Sequence, residues 1–347
     1  ARKGQDLLEK IRAAGTPLGE FVHGRFYYGI KTGLNEAFVV DRATRDRLIA
    51  EDSKSKDILK PFLRGRDVKR WRIEYENLWL ILIESSENKQ HPWTGKDAAK
   101  AEKVFKTSFP AIHAHFAPMR AQLIERCDQG KYYWELRSCA YYEAFLGPKV
   151  IYPDIYEHQS FAFENRGFFS TNKTYFIPHE THARFLTAIL NSAVVEWFYG
   201  QISNRIRGGY LRAFSDSMQQ IPIPGAMVDI LPQVEEMHDL VACLNDGVKE
   251  DSNSRDPLMR EYYEQILNAL VYELYFTEDL HEAGLHFLYL VESANLPPMD
   301  SKPRDPATHI TALRRKFEEI YAPSHPLRAA LQKLHTLDPI RIIEGKA

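Results

Sequence analysis

The chain has no run of eighteen apolar residues, so no segment reads as a membrane-spanning helix. Its first residues, Ala1-Arg2-Lys3-Gly4, lead into no apolar stretch, so no secretory signal is expected. They also lack an initiator Met and fall inside a helical pattern, as expected at the edge of a longer chain. Cysteine is scarce: Cys127, Cys139 and Cys243 lie far apart with no CxxC pair. That excludes a disulfide framework and a cysteine-built zinc site, and it fits a reducing cytoplasm.

Catalytic signatures are missing as well. No GxGxxG or GxxxxGK[ST] loop is present to cradle phosphates, and there is no GxSxG elbow and no HExxH pair. His113 and His115 flank Ala114, which puts them on different faces of a helix and argues against a metal site. Methylation of a base amine would need a cofactor-binding turn and an Asn/Asp-Pro-Pro-aromatic loop, and neither occurs. No catalytic, cofactor-binding or metal-binding residues are therefore expected in this chain. One alternative is a metal-dependent nuclease using Asp154 and Glu164. Its weakness is that Glu164 is followed by Asn165-Arg166, where a lysine would be needed. Another is a protein-interaction module, with the last third as the binding part.

What the sequence does hold is charge, unevenly placed. Residues 1–224 carry 33 Lys+Arg against 26 Asp+Glu, whereas residues 225–347 carry 12 against 21, so a net charge of -2 hides +7 beside -9. The asymmetry suggests that only the first part faces a polyanion, although two solvated surfaces would produce it equally well. Residues 5–14 read as the end of a helix, Leu18–Phe26 and Ala37–Val40 as strands, 57–72 as a short helix and a charged loop, and 78–83 as a buried strand. Residues 97–128 are helical with breaks near Pro110 and Pro118. Strands follow at 149–156, 161–163 and 175–177, and one amphipathic helix spans 180–203. Ile221-Pro222-Ile223-Pro224 cannot be helical and ends the unit. After it, 230–246, 257–275, 279–294 and 306–321 all read as helices. The expected architecture is a mixed α/β (α+β) domain over 15–225, preceded by a remnant linker helix at 1–14 and followed by an all-helical region at 226–347.

Three clusters have the composition that grips nucleic acid. Arg64-Gly65-Arg66-Asp67-Val68-Lys69-Arg70-Trp71-Arg72 packs five cations into nine positions, which suits phosphate neutralisation or, equally, a solvated turn. Asn204-Arg205-Ile206-Arg207-Gly208-Gly209-Tyr210-Leu211-Arg212 sets arginines beside two glycines, as in a loop that approaches another molecule closely. Lys131-Tyr132-Tyr133-Trp134-Glu135-Leu136-Arg137-Ser138 mixes aromatics that serve a core or a DNA surface. Two polar loops, Lys31-Thr32-Gly33-Leu34-Asn35 and Ser170-Thr171-Asn172-Lys173, stand beside strands where Asn and Lys can reach base edges.

Tyr28-Gly29-Ile30-Lys31-Thr32-Gly33-Leu34-Asn35-Glu36-Ala37-Phe38 resembles the opening of the TaqI-like C-terminal specificity domain. The resemblance continues in order through residues 59–68, Tyr133–Cys139, Pro148–Asp154, Phe169–Asn172, Leu190-Asn191-Ser192 and Ile221–Pro224, and so spans 15–225. It implies the target-recognition part of a type IIG restriction–modification enzyme or related adenine-specific DNA methyltransferase, bound to double-stranded DNA and working beside a methyltransferase domain of the parent chain. S-adenosylmethionine, and Mg²⁺ in a parent that cleaves, would be held by that parent and not by this chain. Lys31, Thr32, Asn35, Arg137, Ser138, Asn172, Lys173, Arg205, Arg207, Tyr210 and Arg212 are the expected recognition residues, with Arg64, Arg66, Lys69 and Arg70 on phosphates. The acidic helical tail is expected to dock or space rather than touch DNA.

Overall fold

The structure is a computed structural model, and it describes residues 2–203, 206, 208–225, 229–247, 253–299 and 306–346. Among these the strands run in chain order as β1 Gly15–Pro17, β2 Tyr27–Tyr28, β3 Val39–Val40, β4 Leu59–Leu63, β5 Leu78–Ile81 and β6 Lys149–Pro153. They continue as β7 Ile155–Tyr156, β8 Ala162–Glu164, β9 Phe169–Ser170, β10 Thr174–Pro178, β11 Leu211–Arg212 and β12 Pro222–Pro224. Two four-stranded sheets dominate, with orders β2-β10-β6-β8 and β3-β5-β4-β9. The first is antiparallel throughout; the second has one parallel pairing, β4 with β9. β9 belongs to one sheet and β10 to the other, so the short turn between them, residues 171–173, joins the two sheets.

The β2-β10-β6-β8 sheet is a wall between two apolar cores. Side chains alternate faces along a strand, and here the alternation divides β6 and β10 cleanly. Ile151 and Phe176 enter one core, while Val150, Tyr152 and Ile177 enter the other. The first core is built around Trp93, Phe105 and Trp134, with the Phe105 and Trp134 rings stacked at 4.9 Å. Helices Ala98–Ser108 and Pro110–Phe116 cover it. The second core gathers the N-terminal helix Arg2–Ala13, helices Ala183–Leu190 and Ala193–Ile202, and the tail helices Leu231–Gly247 and Asp256–Tyr275. The tail therefore packs as part of the same apolar body as the helices before residue 225.

The mixed α/β architecture with a helical C-terminal region is as the composition implied. The expected strand at Leu18–Phe26 begins instead with a helical turn, Leu18–Phe21, and the expected strand at Ala37–Val40 is a helical turn, Asn35–Phe38, leading into β3. The charged segment 57–72 contains β4, which is held in the sheet by β5 on one side and β9 on the other. Those partners are distant in sequence, so local composition did not reveal the strand. The single helix expected over 180–203 is two. Asn191 turns its buried side chain to the backbone N–H and C=O of Phe161, at 3.1 and 2.8 Å, and Ser192 then caps the next helix at the N–H of Val195. Residues 15 and 224 meet where β1 pairs with β12, and a Cβ on Gly15 would lie 2.1 Å from the Ile223 carbonyl oxygen. Two short helices, Pro326–Leu334 and Asp338–Ile343, fall within the expected all-helical region, though the sequence pattern did not single them out. Among the described residues, no helix is long and apolar enough to cross a membrane.

Candidate nucleic-acid interface

Three loops from distant parts of the sequence meet where the sheets join. The 29–35 loop is fastened to the 170–174 turn by Gly29 N–H to Thr174 O (3.0 Å), Ile30 N–H to Ser170 O (2.6 Å) and Asn172 N–H to Ile30 O (3.2 Å). Thr171 N–H reaches back to Leu63 O at 2.9 Å, which brings in the loop that carries Arg64 and Arg66. Contact at Gly29 is so close that a Cβ there would sit 2.1 Å from the Thr171 carbonyl oxygen.

These loops enclose a groove of about 990 Å³. Asn35, Arg64, Arg66, Lys69, Lys173 and the segment Asp154–His158 line it, and Asp154 N–H donates to Lys173 O at 3.0 Å. Four cations thus share the groove with two carboxylates, Asp154 and Glu157, and with His158. The cations differ in freedom. Arg64 forks onto Asp67 (2.7 Å) and also reaches Glu76 (2.7 Å), so it is a brace for its own turn. Lys69 lies a loose 3.9 Å from Glu74. Arg66 is exposed, and neither it nor Lys173 has a carboxylate partner among the described ion pairs. A second, smaller cleft of about 100 Å³ lies across the 29–35 loop and holds Lys31, Arg137 and Ser138 beside Tyr28 and Tyr141. Lys31 Nζ sits 5.5 Å above the Tyr28 ring, and Arg137 reaches Asp128 at 3.2 Å.

The strand β11 forms a rim. β11 pairs with β7, whose Ile155 and Tyr156 line the groove, so Tyr210 and Arg212 flank it. Tyr210, Phe214 and Ile155 are exposed apolar side chains, and Arg212 covers the Phe214 ring at 4.9 Å. Gly208 and Gly209 have φ of 92° and 85°, a local reason for both glycines. Arg205 and Arg207, expected readers, lie outside the described residues.

Three expectations change. Thr32 is not on the surface: it is 3% exposed, and its hydroxyl donates to Asn35 Oδ1 at 2.6 Å, which orders the loop and positions Asn35. Arg70 turns away from the groove to pair with Glu264 of the tail and to donate to the carbonyls of Asn191 and Gln159. Arg72 follows it, to Glu74 and to Asn245 O. The run of five cations is therefore split by the turn at Val68–Ile73 into a groove side and a tail side. Finally, Glu164 cannot serve a nuclease. It is 1% exposed, its carboxylate is held by Lys149 Nζ and by the N–H groups of Arg166 and Phe168, and burial pulls the Lys149 amine below its usual range. Its register partner is Lys149 at the start of β6, whereas Asp154 follows the other end of that strand, so the two carboxylates do not share one site.

Arg126 was not among the expected site residues. It is buried beneath the 31–35 loop, donates to the carbonyls of Thr32, Asp128, Tyr133 and Glu135, and lies over the Phe38 ring at 4.5 Å. Burial lowers it to about 10, so it keeps its proton at neutral pH. Acidic Asp154 and Glu157 were likewise not expected in the groove.

The charge asymmetry also has an internal cause. Lys10 pairs with Asp279 (2.6 Å), Arg184 with Glu235 (2.8 Å) and Asp239 (2.7 Å), and Arg70 with Glu264. Part of the basic excess thus answers the acidic tail rather than a polyanion.

The model of the TaqI-like C-terminal specificity domain matches residues 60–223, within the span that the motif order implied. The opening motif at 28–38 lies before the matched range. The chain is 33% identical over 225 residues to the type II methyltransferase M.XhoI of Xanthomonas vasicola, covering 64% of this chain and 36% of that protein. It is also similar to the type IIL restriction–modification enzyme MmeI in complex with DNA, with a TM-score of 0.46, 14% identity, and coverage of 85% of this chain and 35% of that one. The chain spans about a third of the length of these relatives.

Proposed function

We propose that this chain recognises a short sequence in double-stranded DNA for a restriction–modification enzyme, and that the groove at the sheet junction is where the duplex lies. The observation that carries this reading is the convergence of the 29–35, 63–69 and 170–173 loops, which places Arg66 and Lys173, without carboxylate partners among the described residues, beside Asn35 and Asn172. Cations of that kind exchange counterions with phosphates, and amides pair with adenine edges. Asp154 and Glu157 supply acceptors that a cytosine amine would satisfy. Lys31, Arg137 and Ser138 form a second contact across the same loop, and Tyr210 and Arg212 a third. The methyl donor, S-adenosylmethionine, and any divalent ion for cleavage belong to a methyltransferase and a nuclease part of the parent chain, with adenine N6 as the methylated atom.

Selection of duplexes from a random pool by the whole chain, repeated at several salt concentrations, tests the reading. A short enriched motif with salt-sensitive binding is expected. Retention of the random pool without enrichment, or no salt-sensitive binding, refutes it.

A further inference from the structure

The geometry points to a binding site for one divalent transition metal of the zinc class in the helical tail, formed by Glu273, His281 and His286. The candidate ligand atoms of the three residues all lie within 4.8 Å of one another. Glu273 stands at the end of the helix Asp256–Tyr275, His281 in the last turn of the helix Thr277–Glu282, and His286 directly before the helix Phe287–Ser293. Three consecutive helices thus deliver one ligand each to a single point.

The carboxylate is preorganised. Glu273 is buried, its Oε2 accepts the Leu288 N–H at 2.7 Å, and its Oε1 faces His281 Nε2 at 2.8 Å. Anchoring one oxygen while the other is presented is how an outer-shell contact orients a metal ligand. Both histidines are exposed, their rings lie 4.4 Å apart, and none of the described hydrogen bonds uses the His286 ring. Ligand atoms on a tetrahedral zinc ion stand about 3.3 Å from one another, so the trio closes by small torsions of the two exposed side chains. Two imidazoles and one carboxylate suit Zn²⁺, Co²⁺ or Ni²⁺, whereas Mg²⁺ and Ca²⁺ require oxygen sets. A fourth position opens to water on the exposed side. Bound metal would tie the three helices together. The sequence hides the site because its ligands are spaced Glu-x7-His-x4-His across three helices.

The test uses the whole 347-residue chain after chelator dialysis and without any added histidine tag. Zn²⁺ is titrated against a chromophoric chelator, and Co²⁺ is followed by its visible absorption. Variants are His281→Ala, His286→Ala and, as a control, His335→Ala, which removes a histidine paired with Glu344 instead. Glu273→Gln is avoided because Glu273 also holds Leu288. Expected results are one Zn²⁺ per chain, a Tm that rises with Zn²⁺, no response to Mg²⁺, and at least about a tenfold loss of affinity in each of the first two variants but not in the control. Unchanged affinity in either His281→Ala or His286→Ala overturns the three-ligand site. Absence of saturable Zn²⁺ binding by the unaltered chain overturns it as well, and the His281–Glu273 contact is then only a hydrogen bond.

Discussion

Replacing Arg66 and Arg70 separately by alanine separates two roles that the sequence merged. Arg66 is exposed in the groove without a carboxylate partner among the described residues, whereas Arg70 clamps Glu264 and the backbone carbonyls of Asn191 and Gln159. If Arg66 contacts a phosphate, its loss should make the slope of log K against log salt less negative by about 0.9. At about 0.1 M salt that slope change amounts to roughly an eightfold loss of affinity, or ~1.2 kcal/mol, alike on cognate and random duplexes. Because Arg66 holds nothing in place, its stability change should stay within about 0.5 kcal/mol. Arg70→Ala should do the reverse. It strands the Glu264 carboxylate and leaves the Asn191 and Gln159 carbonyls without their donor, at a cost of about 1–3 kcal/mol in stability, with the salt slope unchanged. Fluorescence anisotropy over a salt series, paired with chemical denaturation, reads both quantities. A flattened slope in Arg70→Ala, or an unaltered slope in Arg66→Ala, refutes the division of the cluster.

The buried Lys149–Glu164 pair should show strong coupling. Lys149→Met alone should cost about 3–5 kcal/mol by leaving a buried carboxylate uncompensated, and adding Glu164→Gln should recover part of it because the neutral amide still accepts from Arg166 and Phe168. Additive losses in denaturant titrations would contradict this. Gly29→Ala should weaken DNA binding and lower Tm together, since the new Cβ would meet the Thr171 and Ser170 carbonyls at 2.1 and 2.4 Å; the cost is of the order of 1–3 kcal/mol. A variant with unchanged Tm would show that the loops tolerate separation. His179 gives a pH dependence. Burial, then His182, lowers it to about 4, and its Nδ1 accepts the His182 N–H, a role that only the unprotonated nitrogen can fill. Its folded value lies below the unfolded one, so its contribution is complete above about pH 6.5 and is lost as pH falls toward 4. His179→Asn should flatten that part of the stability profile, and an identical profile would exclude the residue.

How much was legible follows from the range of the interactions concerned. The motif order, the helical tail and the strands at 78–83 and 149–156 are written in local composition and periodicity, and the sequence alone determined them. So were the neighbourhoods of the groove: Lys31–Asn35, Arg64–Lys69 and Asn172–Lys173 all carry the small and charged residues of exposed turns. Which of those residues face the groove was decided by tertiary pairing. Register between β4 and β9 and the backbone bonds from residue 30 to residue 170 bring the loops together, and both cross more than a hundred positions of chain. The same pairing buries Thr32, seats Arg126 beneath it, and places Asp154 and Glu157 in the groove with the cations. Arg66 and Arg70 are four positions apart and equivalent by composition. The turn between them sends one to the groove and the other to Glu264. A charge is free or paired according to what the fold sets within about 4 Å of it, and that distance is not a property of the sequence near the charge.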